Sequence, residues 1–215
     1  IGDQLWMAEN LKVTHYNNGD EIPTGYSNSE WTDLYDTETG AYAVYPTDDD
    51  EASQSTCGDD CADVYGNLYN WYAVDDSRNI APEGWYIATD EEWTMLSDYL
   101  GGENVAGGKL KEIGTERWNS PNEGATNESS FTGHPAGSRS VSAGIYFNLG
   151  YDGRFWSSTE EGNDFAWYRY LQDTKSRVLQ VGGNKNSGMS IRCLSDSAPA
   201  DCGDSTIPNC NPDYE

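Results

Sequence analysis

The chain has 215 residues, enough for one large domain or two small ones, and aromatic residues make up 13% of it, too many for a disordered acidic polymer. Acidic residues number 37 against 12 Lys and Arg, so the formal charge is −25 and the isoelectric point about 4.1. This balance excludes nucleic acid as an expected partner and disfavours anionic membrane surfaces, and no apolar run is long enough to span a bilayer.

Short strands separated by Gly, Asn and Asp turns dominate the predicted secondary structure. In chain order we expect strands at 5–11, 42–45 and 69–74, helices at 89–100 and about 105–113, and strands at 145–149, 166–171, 176–180 and 189–194. A few strands, one or two helices and many long loops predict an irregular, loop-rich α+β domain.

The first expected helix has signals at both ends. Thr89 and Glu92 have the spacing of a capping box, and the acidic first turn suits the helix dipole. Trp93, Leu96 and Leu100 fall on one face, and paired glycines end the helix. The pattern therefore predicts a helix that packs against the core.

Two segments differ from the rest of the chain. Residues 46–63 are acidic and include a closely spaced cysteine pair, which indicates a surface insertion. Residues 197–215 form a tail rich in Pro, Asp and Cys, and they follow a main domain at 1–196. The chain starts at Ile1 without an initiator Met, so a removed leader or a longer precursor is expected.

Five cysteines indicate an oxidising compartment. Cys57 and Cys61 flank Gly-Asp-Asp, and a local disulfide worth about 2 kcal/mol is favoured over a zinc site, since neither histidine is grouped with them. A bond between Cys202 and Cys210 would staple the tail, although pairing of Cys193 with either of these is also open.

The Asp- and Asn-rich loops suggest calcium as a possible ligand. The candidate carboxylates are Asp48, Asp49, Asp50 and Asp152. No segment has the spacing of a helix–loop–helix calcium site, and a solvated acidic face is the favoured interpretation. No other cofactor is expected.

Several short sequence motifs, taken in order along the chain, match those of a known family. They lie at residues 1–12, 65–74, 81–93, 131–139, 155–160 and 190–193. Together they resemble the Fibrobacter succinogenes major paralogous domain, an extracellular module found in many copies in Fibrobacter and Bacteroidetes-type bacteria. The resemblance covers about residues 1–196 and leaves the acidic insertion and the tail outside the pattern.

That family looks related to the formylglycine-generating enzyme, which has an elaborated C-type-lectin-like fold. The shared phrases are Gly-Trp-x-x-x-Thr-x-x-Glu-Trp at 84–93 and the closing x-x-Arg-Cys at 190–193. The resemblance implies the same irregular α+β fold. The resemblance does not extend to the oxidase activity of that enzyme, which requires a closely spaced cysteine pair to hold copper. Residues 174–190 contain no cysteine pair. We therefore expect no enzymatic activity.

The tryptophans divide into two groups. Those within the family phrases are expected to build an aromatic core: Trp6, Trp71, Trp85, Trp93 and Trp156. The candidates for stacking on sugar rings lie outside these family motifs and are Trp31, Trp118 and Trp167.

The expected function is that of an extracellular, non-catalytic structural or adhesive module of a cell surface or fibre. The alternative is a carbohydrate-binding module of a secreted bacterial protein. The tail contains Ile207 and Tyr214 as apolar anchors and prolines that extend its backbone, so we expect it to contact a neighbouring subunit. Self-association is the expected partnership, and glycans are possible ligands.

Overall fold

The computed structural model describes residues 1–45 and 61–197. Within these ranges the helices are α1 Asn28–Thr37, α2 Cys61–Tyr65, α3 Trp71–Val74, α4 Asp90–Tyr99 and α5 Glu103–Leu110. The strands are β1 Tyr42–Ala43, β2 Leu68–Tyr69, β3 Trp85–Ile87, β4 Ser138–Arg139, β5 Tyr146–Phe147, β6 Asp152–Glu160, β7 Phe165–Gln172, β8 Leu179–Asn184 and β9 Cys193–Ser195. This part of the chain is α+β, as the sequence predicts, but it has more helices than the one or two expected.

The described strands form small antiparallel sheets. Three are two-stranded, pairing β1 with β2, β3 with β9 and β4 with β5. The largest has the order β6-β7-β8, with a register shift between Trp156 and Glu160. None of the described helices is long and apolar enough to cross a bilayer.

Helix α4 confirms the strongest local prediction. The Thr89 side chain accepts a hydrogen bond from the Glu92 backbone, and the Glu92 carboxylate accepts one from the Thr89 backbone. Trp93, Leu96 and Leu100 are all buried. The second predicted helix is also present as α5, which ends three residues earlier than expected.

The strand expected at residues 69–74 is partly wrong. Only its beginning belongs to β2, because the Asn70 side chain accepts a hydrogen bond from the Ala73 backbone and starts α3. Helix α1 was not expected, although Ser27 and Glu30 form a capping box at its start. Strands β3, β4 and β6 lie outside every strand that the sequence predicts.

The predicted N-terminal strand is an extended segment with partial strand pairing. Trp6 forms an isolated antiparallel bridge with Leu194. Nearby, the Met7 backbone donates to the Cys193 carbonyl at 3.0 Å. The segment therefore lies alongside β9 and adds an irregular third strand to the β3–β9 pair.

Aromatic rings build the core, as predicted. Trp93 lies at the centre of one cluster, with its ring centroid 4.6 Å from that of Trp6 and 5.7 Å from those of Phe131 and Phe155. Trp71 and Trp156 are buried in a second cluster, and Trp85 is half-buried beside it. Dispersion and burial of large rings thus replace the long aliphatic runs that this sequence lacks.

Candidate functional site

A shallow apolar groove lies between the N-terminal segment and the loop that leads into β3. One wall is formed by residues 6–13 and the other by Pro82 and Trp85. The groove has a volume of about 450 Å³, and the half-buried side chains of Met7 and Val13 line it. A concave, mostly apolar surface of this kind suits an extended segment with a few large apolar side chains.

The described part of the chain ends beside this groove. The Ser195 backbone donates to the Leu5 carbonyl at 2.9 Å, and the Asp196 backbone donates to the Gly84 carbonyl at 3.0 Å. Leu5 directly precedes one wall, and Gly84 lies between the two residues of the other. Ser195 and Asp196 therefore lie next to the groove.

Charged side chains at the rim are only loosely paired. The Lys12 ammonium lies 3.2 Å from the Glu9 carboxylate and 3.9 Å from that of Asp63, and all three side chains are exposed. Exposed pairs contribute about 0–1 kcal/mol because water screens them. The rim charges are therefore available to a partner at little cost in stability.

Arg192 fixes the wall of the groove from inside. Its side chain is 0% exposed, and its guanidinium donates to Asn10 Oδ1 at 2.7 and 3.1 Å and to the carbonyls of Met7 at 3.0 Å and Phe131 at 2.6 Å. It also lies 4.3 Å from the centre of the Phe131 ring. Burial lowers the pKa of Arg192 to about 9. These bonds hold the N-terminal segment against the core.

The sequence pattern of the Fibrobacter succinogenes major domain matches residues 1–195. The match includes both walls of the groove and Arg192. The chain belongs to the Fibrobacter succinogenes major domain family. No curated protein and no solved structure matches it significantly.

In this Fibrobacter succinogenes major domain, Lys111 is another buried cation, and its partners are backbone carbonyls. Its ammonium donates to the carbonyls of Glu123 and Gln172 at 2.9 Å and of Lys175 at 3.0 Å. Burial lowers the pKa of Lys111 to about 8. The ammonium therefore ties together three separate backbone positions.

Trp31 and Trp118 do not form the exposed sugar platforms that the sequence suggested. They are 0% and 1% exposed, and their indole N–H groups donate to the carbonyls of Asn186 at 3.0 Å and Gly133 at 2.9 Å. The Arg139 guanidinium lies 4.3 Å from the centre of the Trp31 ring. Both rings are satisfied core groups, so the prediction of glycan contact is wrong for these two residues.

Trp167 remains accessible. It lies half-buried on β7, directly opposite Gly182 of β8. Among the described residues, no hydrogen bond involves its indole N–H, in contrast to those of Trp31 and Trp118. Of the three candidate glycan contacts, this one keeps the exposure that stacking on a sugar requires.

Asp152 is not arranged as a calcium ligand. It is buried, and Oδ2 accepts hydrogen bonds from Asn148 at 2.6 Å and Arg154 at 2.9 Å. Its other oxygen accepts one from the Tyr170 hydroxyl at 2.9 Å. Because donors occupy both oxygens, the predicted role for Asp152 is wrong. The other calcium candidates, Asp48–Asp50, lie outside the described residues.

Two of the five cysteines, Cys61 and Cys193, lie within the described residues. Cys193 is a free, buried thiol, so its pairing with a tail cysteine, left open by the sequence, is wrong. Burial raises the pKa of this thiol to about 12. Cys61 is buried at the start of α2, while Cys57, Cys202 and Cys210 lie outside the described residues. The predicted Cys57–Cys61 and Cys202–Cys210 bonds stay predictions, as does the role of Ile207 and Tyr214.

Thiol labelling tests the expected cysteine chemistry. We expect Cys57, Cys61 and Cys193 to stay unlabelled when the native, unreduced protein is treated with iodoacetamide. Cys193 is protected by burial and by its raised pKa, and the other two by their predicted disulfide. In denaturant without reductant, mass spectrometry should find Cys193 labelled and the other two unlabelled. Labelling of Cys57 and Cys61 under either condition would contradict the disulfide.

Proposed function

We propose that this domain is an extracellular, non-catalytic structural or adhesive module that self-associates through its C-terminal tail. The tail of one copy lies in the apolar groove of a neighbouring copy, and Ile207 and Tyr214 are its anchors. The observation that carries the proposal is that Ser195 and Asp196, near the end of the described residues, bond to the backbone beside the groove formed by residues 6–13 with Pro82 and Trp85.

The length of the tail supports contact with a neighbour. Fully extended, Ile207 lies about 33 Å beyond Ser197 and Tyr214 about 56 Å beyond it. A domain of this size has a radius of gyration of about 16 Å. The anchors can therefore extend beyond their own domain.

The composition of the tail favours docking. Pro199, Pro208 and Pro212 restrict its backbone, so less conformational entropy is lost when the tail binds than with a flexible linker. The formal charge of −25 opposes association between copies. Added salt or divalent cations should therefore strengthen the assembly by screening this repulsion.

Truncation after Asp196 tests self-association. By multi-angle light scattering we expect the full chain to be oligomeric and the truncated chain to be a folded monomer, because it keeps the groove but loses the anchors. The same oligomeric state for the two proteins, whether monomeric or assembled, would contradict the proposal. Circular dichroism establishes that the truncated chain is folded.

A pair of methionines supplies a matched test of the groove. Met7 lines it, whereas Met95 is exposed on α4 and lies outside it. Met7→Glu places a carboxylate where the apolar anchors dock, so we expect it to abolish assembly, while Met95→Glu should leave assembly unchanged. Loss of assembly in both variants, or in neither, would contradict docking in the groove.

We also propose that the fold belongs with the formylglycine-generating enzyme and C-type-lectin-like domains. Two sequence motifs shared with that enzyme support this relation. The first contains β3 and leads into α4, the second leads into β9, and β3 pairs with β9 so that Ile87 lies opposite Cys193. The absence of cysteine between residues 174 and 190 supports a non-catalytic domain within that group. An experimental structure would test the relation by superposition of the backbones.

A further inference from the structure

The β6-β7-β8 sheet presents an aromatic face that shares no residue with the groove. Strands β7 and β8 pair with Phe165 opposite Asn184 and Trp167 opposite Gly182. Because side chains alternate along a strand, Phe165 and Trp167 lie on the same face. Phe165 is 45% exposed and Trp167 is half-buried. Two neighbouring rings are therefore open on one surface.

A carboxylate stands beside these rings. A Cβ atom at Gly182 would overlap the Glu161 carboxylate, so that carboxylate occupies the place of the missing β8 side chain, opposite Trp167. Within the described residues, no hydrogen bond or ion pair engages the Glu161 carboxylate or the Trp167 indole N–H. An acceptor and a donor are thus both free beside an apolar ring.

The space above this surface suits a small ligand. A cavity of about 430 Å³ is lined by Glu161, Gly162, Phe165 and Gly182, and the last of these lies opposite Trp167 in the β7–β8 register. This volume lies within the range of small-molecule sites. Neither Gly162 nor Gly182 has a side chain to fill the space.

The charges at this face exclude an anionic ligand. The nearby cations are already engaged, with Lys185 paired to Glu160 and Arg169 paired to Asp90. The unpaired Glu161 carboxylate therefore dominates the local field. A ligand must offer hydroxyl donors to that carboxylate and an apolar face to the rings.

We propose that this face binds a neutral carbohydrate. The C–H face of a pyranose ring stacks on Trp167, with Phe165 extending the platform to a neighbouring sugar. A sugar hydroxyl donates to the Glu161 carboxylate in a charge-assisted hydrogen bond, and the Trp167 indole N–H donates to a sugar oxygen. The site does not rest on self-association.

The test uses an array of immobilised neutral and acidic oligosaccharides, followed by calorimetric titration with hexasaccharides of glucose, mannose and N-acetylglucosamine. We expect binding of at least one neutral hexasaccharide. Trp167→Ala should weaken it about tenfold or more through loss of stacking, while Trp167→Phe should retain most of it. Glu161→Gln, at an exposed position, should weaken binding severalfold through loss of the charge.

Tyr151→Ala is the matched control, since Tyr151 is an exposed aromatic residue next to β6, at the opposite end of the sheet. It should leave binding unchanged. Binding of no neutral sugar, or full binding by both Trp167→Ala and Glu161→Gln, would overturn the proposal. If Trp167→Ala fails to fold, Glu161→Gln decides. The chain truncated after Asp196 should still bind sugar, which separates failure of this site from failure of the proposed assembly.

Discussion

Arg192→Met is expected to lower the free energy of unfolding by about 3–5 kcal/mol. The methionine fills much of the same space but cannot donate hydrogen bonds. Asn10 Oδ1 and the carbonyls of Met7 and Phe131 would then lose their buried donor. A buried acceptor left unsatisfied costs about 1–3 kcal/mol, and relief from burying a charge offsets part of the sum.

Arg177→Met is the control for that substitution, because Arg177 is exposed. Urea titrations of the two variants and the parent measure the effect, and the control should change stability by less than about 0.5 kcal/mol. A loss of stability at Arg192 no greater than at Arg177 would mean that Arg192 does not hold the N-terminal segment.

Trp93→Ala should lower the free energy of unfolding by about 3–5 kcal/mol. The ring is 1% exposed and packs against Trp6, Phe131 and Phe155, so its removal leaves a cavity that the surrounding rigid rings cannot fill. Trp93→Phe should cost less, because the buried indole N–H has no hydrogen-bond partner to lose.

Tyr99→Ala on the same helix provides the comparison, since Tyr99 is 66% exposed. It should cost far less than Trp93→Ala in the same denaturant titration. If Trp93→Ala cost under 1 kcal/mol, the ring would not be part of the core that the structure describes.

Local signals explain what could be predicted from the sequence. Helix α4 was predicted well because Thr89 and Glu92 cap it and its apolar residues recur on one face. At residues 69–74 the apolar run fits a strand and a helix equally, and the Asn70 side chain favours the helix by accepting a hydrogen bond from the Ala73 backbone. The capping box of Ser27 and Glu30 was a usable signal for α1 that the prediction missed.

Long-range packing explains what could not be predicted. Trp31 is buried because Asn186, distant in sequence, accepts its N–H, and no local pattern around Trp31 contains that information. Trp118 meets Gly133 in the same way. The position of a tryptophan outside the family motifs therefore does not predict whether its side chain is exposed.

The groove and the Arg192 side chain that supports it also depend on contacts between residues that are distant in sequence. Its walls, residues 6–13 and Pro82 with Trp85, are about 70 residues apart and meet only because β9 lies between the N-terminal segment and β3. Arg192 was recognised as part of a family phrase, but an arginine is usually exposed. Its buried acceptors come from distant parts of the chain, so sequence alone could not assign them.

Photo-crosslinking between isotopically distinct copies tests the proposal that the tail of one copy occupies the groove of another. Tyr214→p-benzoylphenylalanine is introduced into an unlabelled chain, which is mixed with a ¹⁵N-labelled chain lacking the crosslinker and illuminated. We expect crosslinked peptides that join the unlabelled tail to ¹⁵N-labelled residues 6–13 or to the ¹⁵N-labelled segment containing Pro82 and Trp85. Crosslinks found only within one copy, or absent from the groove, would contradict it.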